Sequence, residues 1–229
     1  MSIPSQTFTV LDPGLGAVTP SANSPLYVGP AAGGTGVVST LYSFSRLNDI
    51  RGTLGYGQLS EDVALALQES GGPVLAMITA GTTAATTSAV TKGNGASPTI
   101  TMSGTPRDKY TSRIEIMGTG ILGTATFRYT LDRHTVTTQP TPNPTWSVTR
   151  TVPSGGSFVM GSSGLTATFA AGTYTVGDTY DFTTTQAQAN STDLGPAAAV
   201  ILAMTALQFP YWNVSGSAAT AAAASAIAV

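Results

Sequence analysis

The sequence predicts an α+β fold: a discontinuous α/β domain interrupted by an inserted all-β sandwich or barrel domain. Three observations predict it. A helix-to-strand unit, "LSEDVALALQESGGPVLAM" (residues 59–77), precedes a Thr/Ser/Gly/Ala stretch. After that stretch every strong signal is of β type, with turn residues about every eight to twelve positions. Helix and strand signals then return in "STDLGPAAAVILAMTAL" and "FPYWNVSG". Such α/β signals at both ends, with a β-region between two linkers, form the pattern of an insertion.

Residues 1–25 read as an extended N-terminal arm, because "QTFTVLD" alternates and "PGLGAVTPSANSP" breaks repeatedly. Residues 26–90 form the first part of the α/β core. Here "LYVG" reads as a buried strand, and "PAAGGTG" as loop. A short strand is expected around residues 37–41, then a helical turn over residues 43–50 with Ser43 as its cap. Ser60 offers an N-cap for the next helix, with Glu61 and Asp62 in the first turn, where carboxylates favour the positive end of the helix dipole. Val63, Ala66 and Leu67 share one face, and Leu59 packs from outside it. Gly71 and Gly72 can take the left-handed conformation that ends a helix. The run "PVLAMITA" is continuously apolar, as expected of a strand covered on both faces.

Residues 81–98 read as a linker. The inserted β-domain is placed at residues 97–185. Its strands are expected in "TITMSG", "SRIEIMG", "ATFRYTLD", "TWSVTRTV" and "LTATFAAGTYTVGDTYDFTTT", with a turn at "TPRD". "QAQANSTD" is a second linker. Residues 191–229 form the second part of the core. Ser191, Thr192 or Asp193 caps its helix, and Pro196 falls in the first turn. A strand in "FPYWNVSG" follows, and then the start of another helix in "SAATAAAASAIAV". Because the sequence halts inside that Ala-rich helix, the second core part is expected to be incomplete at Val229.

Composition narrows the function. Only 9% of the 229 residues are charged and the net charge is −2, against roughly 25% charged in an average globular domain. Low charge suits a chain buried on several sides in a large assembly. The nine basic residues are scattered, which argues against nucleic acid, since phosphate binding needs clustered Lys and Arg. The absence of cysteine excludes disulfides and thiolate metal sites. The N-terminus lacks a basic region followed by an apolar run, so no signal peptide is expected. The apolar stretch at residues 194–212 is interrupted by Pro196, Gln208 and Pro210. It reads as a core helix ending in a strand and not as a membrane span.

No residue is nominated as catalytic, cofactor-binding or metal-ligating. The single His134, with Asp132 two residues before it, sits in a loop-like segment without a partnered nucleophile. Asp178 and Asp181 in "GDTYDF" lack the calcium-loop pattern, and they read as a turn aspartate before an edge strand. "GPAAGGTG" has neither the Lys-Ser/Thr end of a Walker loop nor a helix directly after it. "GSSG" at Gly161 departs from the Gly-x-Ser-x-Gly elbow. Trp146, Phe169, Tyr174, Tyr180 and Phe182 read as the core of the β-domain more than as an exposed sugar platform.

The N-terminal part carries a resemblance. "SPLYVGPAAGGT", followed by "VVSTLYSFSRLNDIRGTLGYGQLSEDVALALQESGGPVLAMITA", resembles the tail sheath proteins of contractile phages and related injection systems. Gly29, Phe44, Gly55, Gly71, Gly72 and Pro73 fall where that pattern wants them. The departure is the lack of a basic residue at residues 78–80. "SPTITMSGTPRDKYTSRIEIMGTGILGTATFRYTLD" and "VPSGGSFVMGSSGLTATFAAGTYTVGDTYDFTTT" look like a β-domain inserted in sheath-like proteins of some phages. "DLGPAAAVILAMTALQFPYWNVSG" is similar to the helix and strand that resume the sheath core.

The resemblance implies a non-enzymatic structural subunit of the virion tail, assembled in the host cytoplasm. It would self-associate in stacked hexameric rings, as a helical tube around a tail tube protein, and meet baseplate and tail terminator proteins. Extended arms would join neighbours by strand addition, and the inserted domain would face outward. Contraction would be a change between two packings, with no cofactor, no nucleic acid and no membrane insertion. Two other readings stay open. A surface-binding β-sandwich for glycan or host receptor would need Trp146 or the tyrosines in solvent. A tail glycosidase would need two acids facing one cleft.

Overall fold

The structure, a computed structural model, describes residues 25–93, 95–132, 145–203 and 212–216. The fold is mixed α+β, mostly β, with several sheets and three helices among the described residues. Met1–Ala84 with Ala187–Val229 makes one compact unit, and Ala85–Gln186 makes the other.

The first unit opens with β1 (Leu26–Pro30), β2 (Ala32–Gly33), β3 (Leu41–Phe44), α1 (Leu47–Thr53), β4 (Gly55–Tyr56), α2 (Gln58–Ser70) and β5 (Val74–Thr79). Strands β1 and β5 are parallel, with Leu26 opposite Leu75 and Pro30 opposite Thr79. A parallel pair needs a long crossover, which α1 and α2 supply. β3 pairs antiparallel on the far side of β5. All six residues of β5 are buried. Val74, Ala76 and Ile78 pack with Phe44, Ile50, Leu54, Leu59, Val63 and Leu67 on one face. On the other, Leu75 and Met77 meet Leu26 and Val28. Burial on both faces is the physical reason for the unbroken apolar run.

Several local expectations are corrected here. The strand is at Leu41–Phe44 and not around residues 37–41; Val38 makes only an isolated bridge to Ile78, and Val37 is 63% exposed. The glycine loop before it is held elsewhere, with Thr35 N donating to Gly52 O (3.0 Å) and Gly36 N to Thr53 O (2.8 Å). Ser43 therefore lies buried in β3 opposite Leu75 and caps no helix; α1 begins after Arg46. Helix α2 begins at Gln58, with Gly57 at the N-cap and φ 108°. Ser60 and Leu59 are thus both inside the helix and buried. At its end Gly71 takes the left-handed conformation, φ 60°, and donates to Leu67 O. Gly72 does not share that conformation.

The second unit comprises β6 (Thr86–Thr87), β7 (Thr91–Lys92), β8 (Ile100–Gly104), β9 (Thr111–Gly118), β10 (Thr126–Thr130), β11 (Arg150–Thr151), β12 (Ser157–Val159), β13 (Leu165–Phe169) and β14 (Thr179–Thr185). One sheet runs β11-β10-β9-β14-β6, with β7 also on β14; another runs β12-β13-β8. Both contribute to one core. Ile114, Ile116, Phe127, Tyr180 and Phe182 come from the first sheet, and Ile100, Leu165, Ala167 and Phe169 from the second. Alternation along β9 puts Ser112, Ile114 and Ile116 inward.

Three readings change in this unit. The stretch read as a linker carries β6 and β7, which pair with β14. β14 therefore has partners on both sides and is not an edge strand. "TWSVTRTV" contributes only the two residues of β11, and β12 had no sequence signal strong enough to nominate it.

The chain returns to the first unit through α3 (Ser191–Ala203) and β15 (Trp212–Val214). β15 joins β1 in parallel, Leu26 opposite Trp212 and Val28 opposite Val214, so the sheet order is β15-β1-β5-β3. Leu194 and Ala197 of α3 cover the second face of the sheet. The cap of α3 is Asn190, not Ser191, Thr192 or Asp193. Asn190 Oδ1 accepts from Thr192 N (2.8 Å) and Asp193 N (3.1 Å). Asp193 Oδ2 accepts in return from Asn190 N (2.9 Å). This reciprocal box selects Asn190 as the starting residue and moves Pro196 into the second turn. The N-terminal arm up to residue 24, residues 209–211 of "FPYWNVSG" and the final Ala-rich stretch read as a helix lie outside the described residues. No helix among the described residues is long and apolar enough to cross a membrane.

Candidate functional site

The glycine loop was the most site-like motif of the first unit, and its geometry explains its glycines. A Cβ on Gly34 would stand 2.1 Å from Thr53 O; one on Gly55 (φ 74°) would stand 2.3 Å from Ala32 O. The loop lies against the α1–β4 corner too closely for any side chain. Its Thr35 and Gly36 N–H groups are engaged by the last carbonyls of α1. Donors already engaged by a helix C-terminus make no cradle for a phosphate.

The two aspartates of "GDTYDF" occupy different environments. Asp178 is buried, its Oδ2 accepting from Ser97 N at 3.3 Å. The loop wraps it so closely that a Cβ on Gly95 (φ 107°) would lie 1.9 Å from Asp178 Oδ1. Asp181 lies on the outward-facing row of its sheet, where Arg113 Nε donates to Oδ1 and Nη2 to Oδ2, both at 2.7 Å. This two-pronged bond, then Coulomb attraction against the opposing effect of burial, raises the Arg113 pKa above its ordinary value. One carboxylate is thus enclosed by its turn and the other is held by an ion pair on the face of the sheet. Among the described residues no group of three or more His, Cys, Asp or Glu could hold a metal ion.

Asp132 sits just after β10. It accepts from Thr130 Oγ1 and from Thr145 N (3.1 Å). Burial pushes its carboxyl up, but the bonds from Thr130 and Thr145 outweigh that and leave it below its ordinary value. His134 lies outside the described residues. "GSSG" is the turn between the antiparallel strands β12 and β13, with Gly161 at φ 58° and Gly164 at φ 81°. Ser163 is buried there and its Oγ accepts from Leu165 N (3.2 Å). A nucleophile elbow joins a strand to a helix; this turn joins two antiparallel strands.

Phe169, Tyr174, Tyr180 and Phe182 are buried in the core of the second unit. Tyr174 Oη donates to Ala170 O (2.7 Å), and Tyr180 Oη to Pro98 O (2.6 Å). Burial pushes both phenols up to about 12. None of these four rings is free to stack on a ligand. Trp146 is half-buried, with the Arg128 guanidinium 4.2 Å from its ring centroid. Arg128 is fixed in turn by Glu115, Nη2 to Oε2 at 2.7 Å.

The strongest polar constellations are at the return of the chain into the first unit. Asp193 Oδ2 accepts from Thr82 N (3.0 Å) and Thr82 Oγ1 (2.8 Å) as well as from Asn190 N. Burial pushes its carboxyl up, but these bonds prevail and hold it below the ordinary range. Ser215, just after β15, donates from Oγ to Asp62 Oδ2 (2.6 Å) and from N to Val28 O (2.8 Å). Gly29 makes room for it, since a Cβ there would lie 2.3 Å from Ser215 O. The "NSTD" spacing of a capping box could have pointed to Asn190 and Asp193. No sequence signal ties Thr82 to a residue 111 positions away, or Asp62 to one 153 positions away. These groups are hydrogen-bonded structural joints, and what they can do chemically is hold the returning segment in place.

The chain matches no protein-family model, no curated protein and no solved structure.

Proposed function

We propose that this chain is a structural subunit of a contractile tail sheath, with a discontinuous sheath-type core and an inserted β-domain. One observation carries the reading: the order of elements on the four-stranded sheet. Strand β1, a helix ended by Gly71, buried β5, departure into a β-region, and return through α3 to β15 beside β1 follow the order of the sheath-like phrases in the sequence. Gly29 and Gly55, two residues of that pattern, each stand where a side chain would strike backbone.

In this reading the subunits self-associate in stacked hexameric rings around a tail tube protein, bounded by baseplate and terminator proteins, in the virion tail. The work is mechanical. Free energy stored in one packing is released on passing to another, so no bond is made or broken and no cofactor takes part. A chain with few charged residues suits such close assembly.

The test is negative-stain electron microscopy of particles containing the chain, with gold-labelled antibody raised against it. Label along a striated cylinder around a thinner tube is the expected result. Label confined to fibres, tips or the head overturns the proposal, and glycan binding by the β-domain would then be measured.

A further inference from the structure

We draw no further inference here: the strongest candidate, the end of the second unit where Met117 at the end of β9 and Ile121 and Val176 in the segments beside it stand exposed, carries nothing because nothing in the structure shows what covers it.

Discussion

Tyr174 and Tyr180 show how a single hydroxyl constrains a core. Each ring fills apolar space and each Oη must find an acceptor there, which Ala170 O and Pro98 O provide. Both phenols are raised from 10.0 to about 12. A raised folded value means that the unfolded chain ionises first. This stabilisation is therefore complete below about pH 10 and lost as pH rises through about 12. Tyrosinate absorbance and circular dichroism, followed together against pH, should show these two tyrosines ionising only as the β-structure is lost. Tyr174→Phe should cost about 1 kcal/mol in urea unfolding, the net worth of one buried hydrogen bond. Asp193 has the opposite sign. Its depressed value stabilises above the ordinary 3.8 and is lost as pH falls through the folded value. Asp193→Ala leaves Asn190 N and both Thr82 donors without their acceptor, and should cost about 2–3 kcal/mol at neutral pH. Urea melts should show that loss shrinking as the wild-type carboxyl is titrated in acid.

At the scale of elements, two glycines that look alike in sequence differ in what they do. Gly71 needs its left-handed φ of 60°, but nothing lies within 4 Å of where a Cβ would be. Gly71→Ala should therefore cost only the backbone term, about 1 kcal/mol. Gly34 has an ordinary φ but a backbone oxygen 2.1 Å from the Cβ position. Gly34→Ala must push the loop off the α1–β4 corner, releasing the bonds from Thr35 and Gly36. We expect it to cost several-fold more than Gly71→Ala in the same melts. An equal cost for the two would refute the close-approach account.

Helix α2 and strand β5 were legible in the sequence because their signals are local. The spacing of Val63, Ala66 and Leu67, the Gly71 stop and the apolar run at Val74–Thr79 lie within one short stretch. Strands β9 and β10 were legible by alternation. The start of α2 was not, because Gly57 can cap without a polar side chain and Ser60 was the more familiar signal. Strands β6 and β7 were missed because Thr, Ser and Gly read as linker until β14 provides a neighbour. Site-like motifs fared similarly. The motif's missing Lys-Ser/Thr end argued against a Walker loop in "GPAAGGTG", but only the fold showed where its N–H groups go.

For the whole molecule, the second unit has its own core and its first and last strands are paired, Thr86 opposite Thr185. Within the first unit, Thr83 N donates to Gln188 O at 3.0 Å and Gln188 N to Thr83 O at 2.9 Å. A chain leaving and returning at hydrogen-bonded neighbours incurs little loop-closure entropy when the intervening segment is replaced by a tight turn. Residues 85–186 expressed alone should give one cooperative melt. The remaining chain, with Ala84 joined to Ala187 by a short Asn-Gly turn, should keep its α/β circular dichroism. Loss of cooperativity in the isolated segment would mean that its core depends on the rest of the chain.

The sequence by itself determined the α+β class, the buried strand β5, the helix stop at Gly71 and the alternating β-strands. Each follows from a preference or periodicity spanning a few neighbouring residues. It also set the low charge that shapes the functional proposal. The tertiary structure alone decided that β15 returns beside β1, that Asp193 holds Thr82, and that Ser215 holds Asp62. It likewise decided which face each aspartate and tyrosine meets. The joints at β15, Asp193 and Ser215 depend on partners more than a hundred residues apart, brought together as the four-stranded sheet is buried, and no local preference encodes such a pairing.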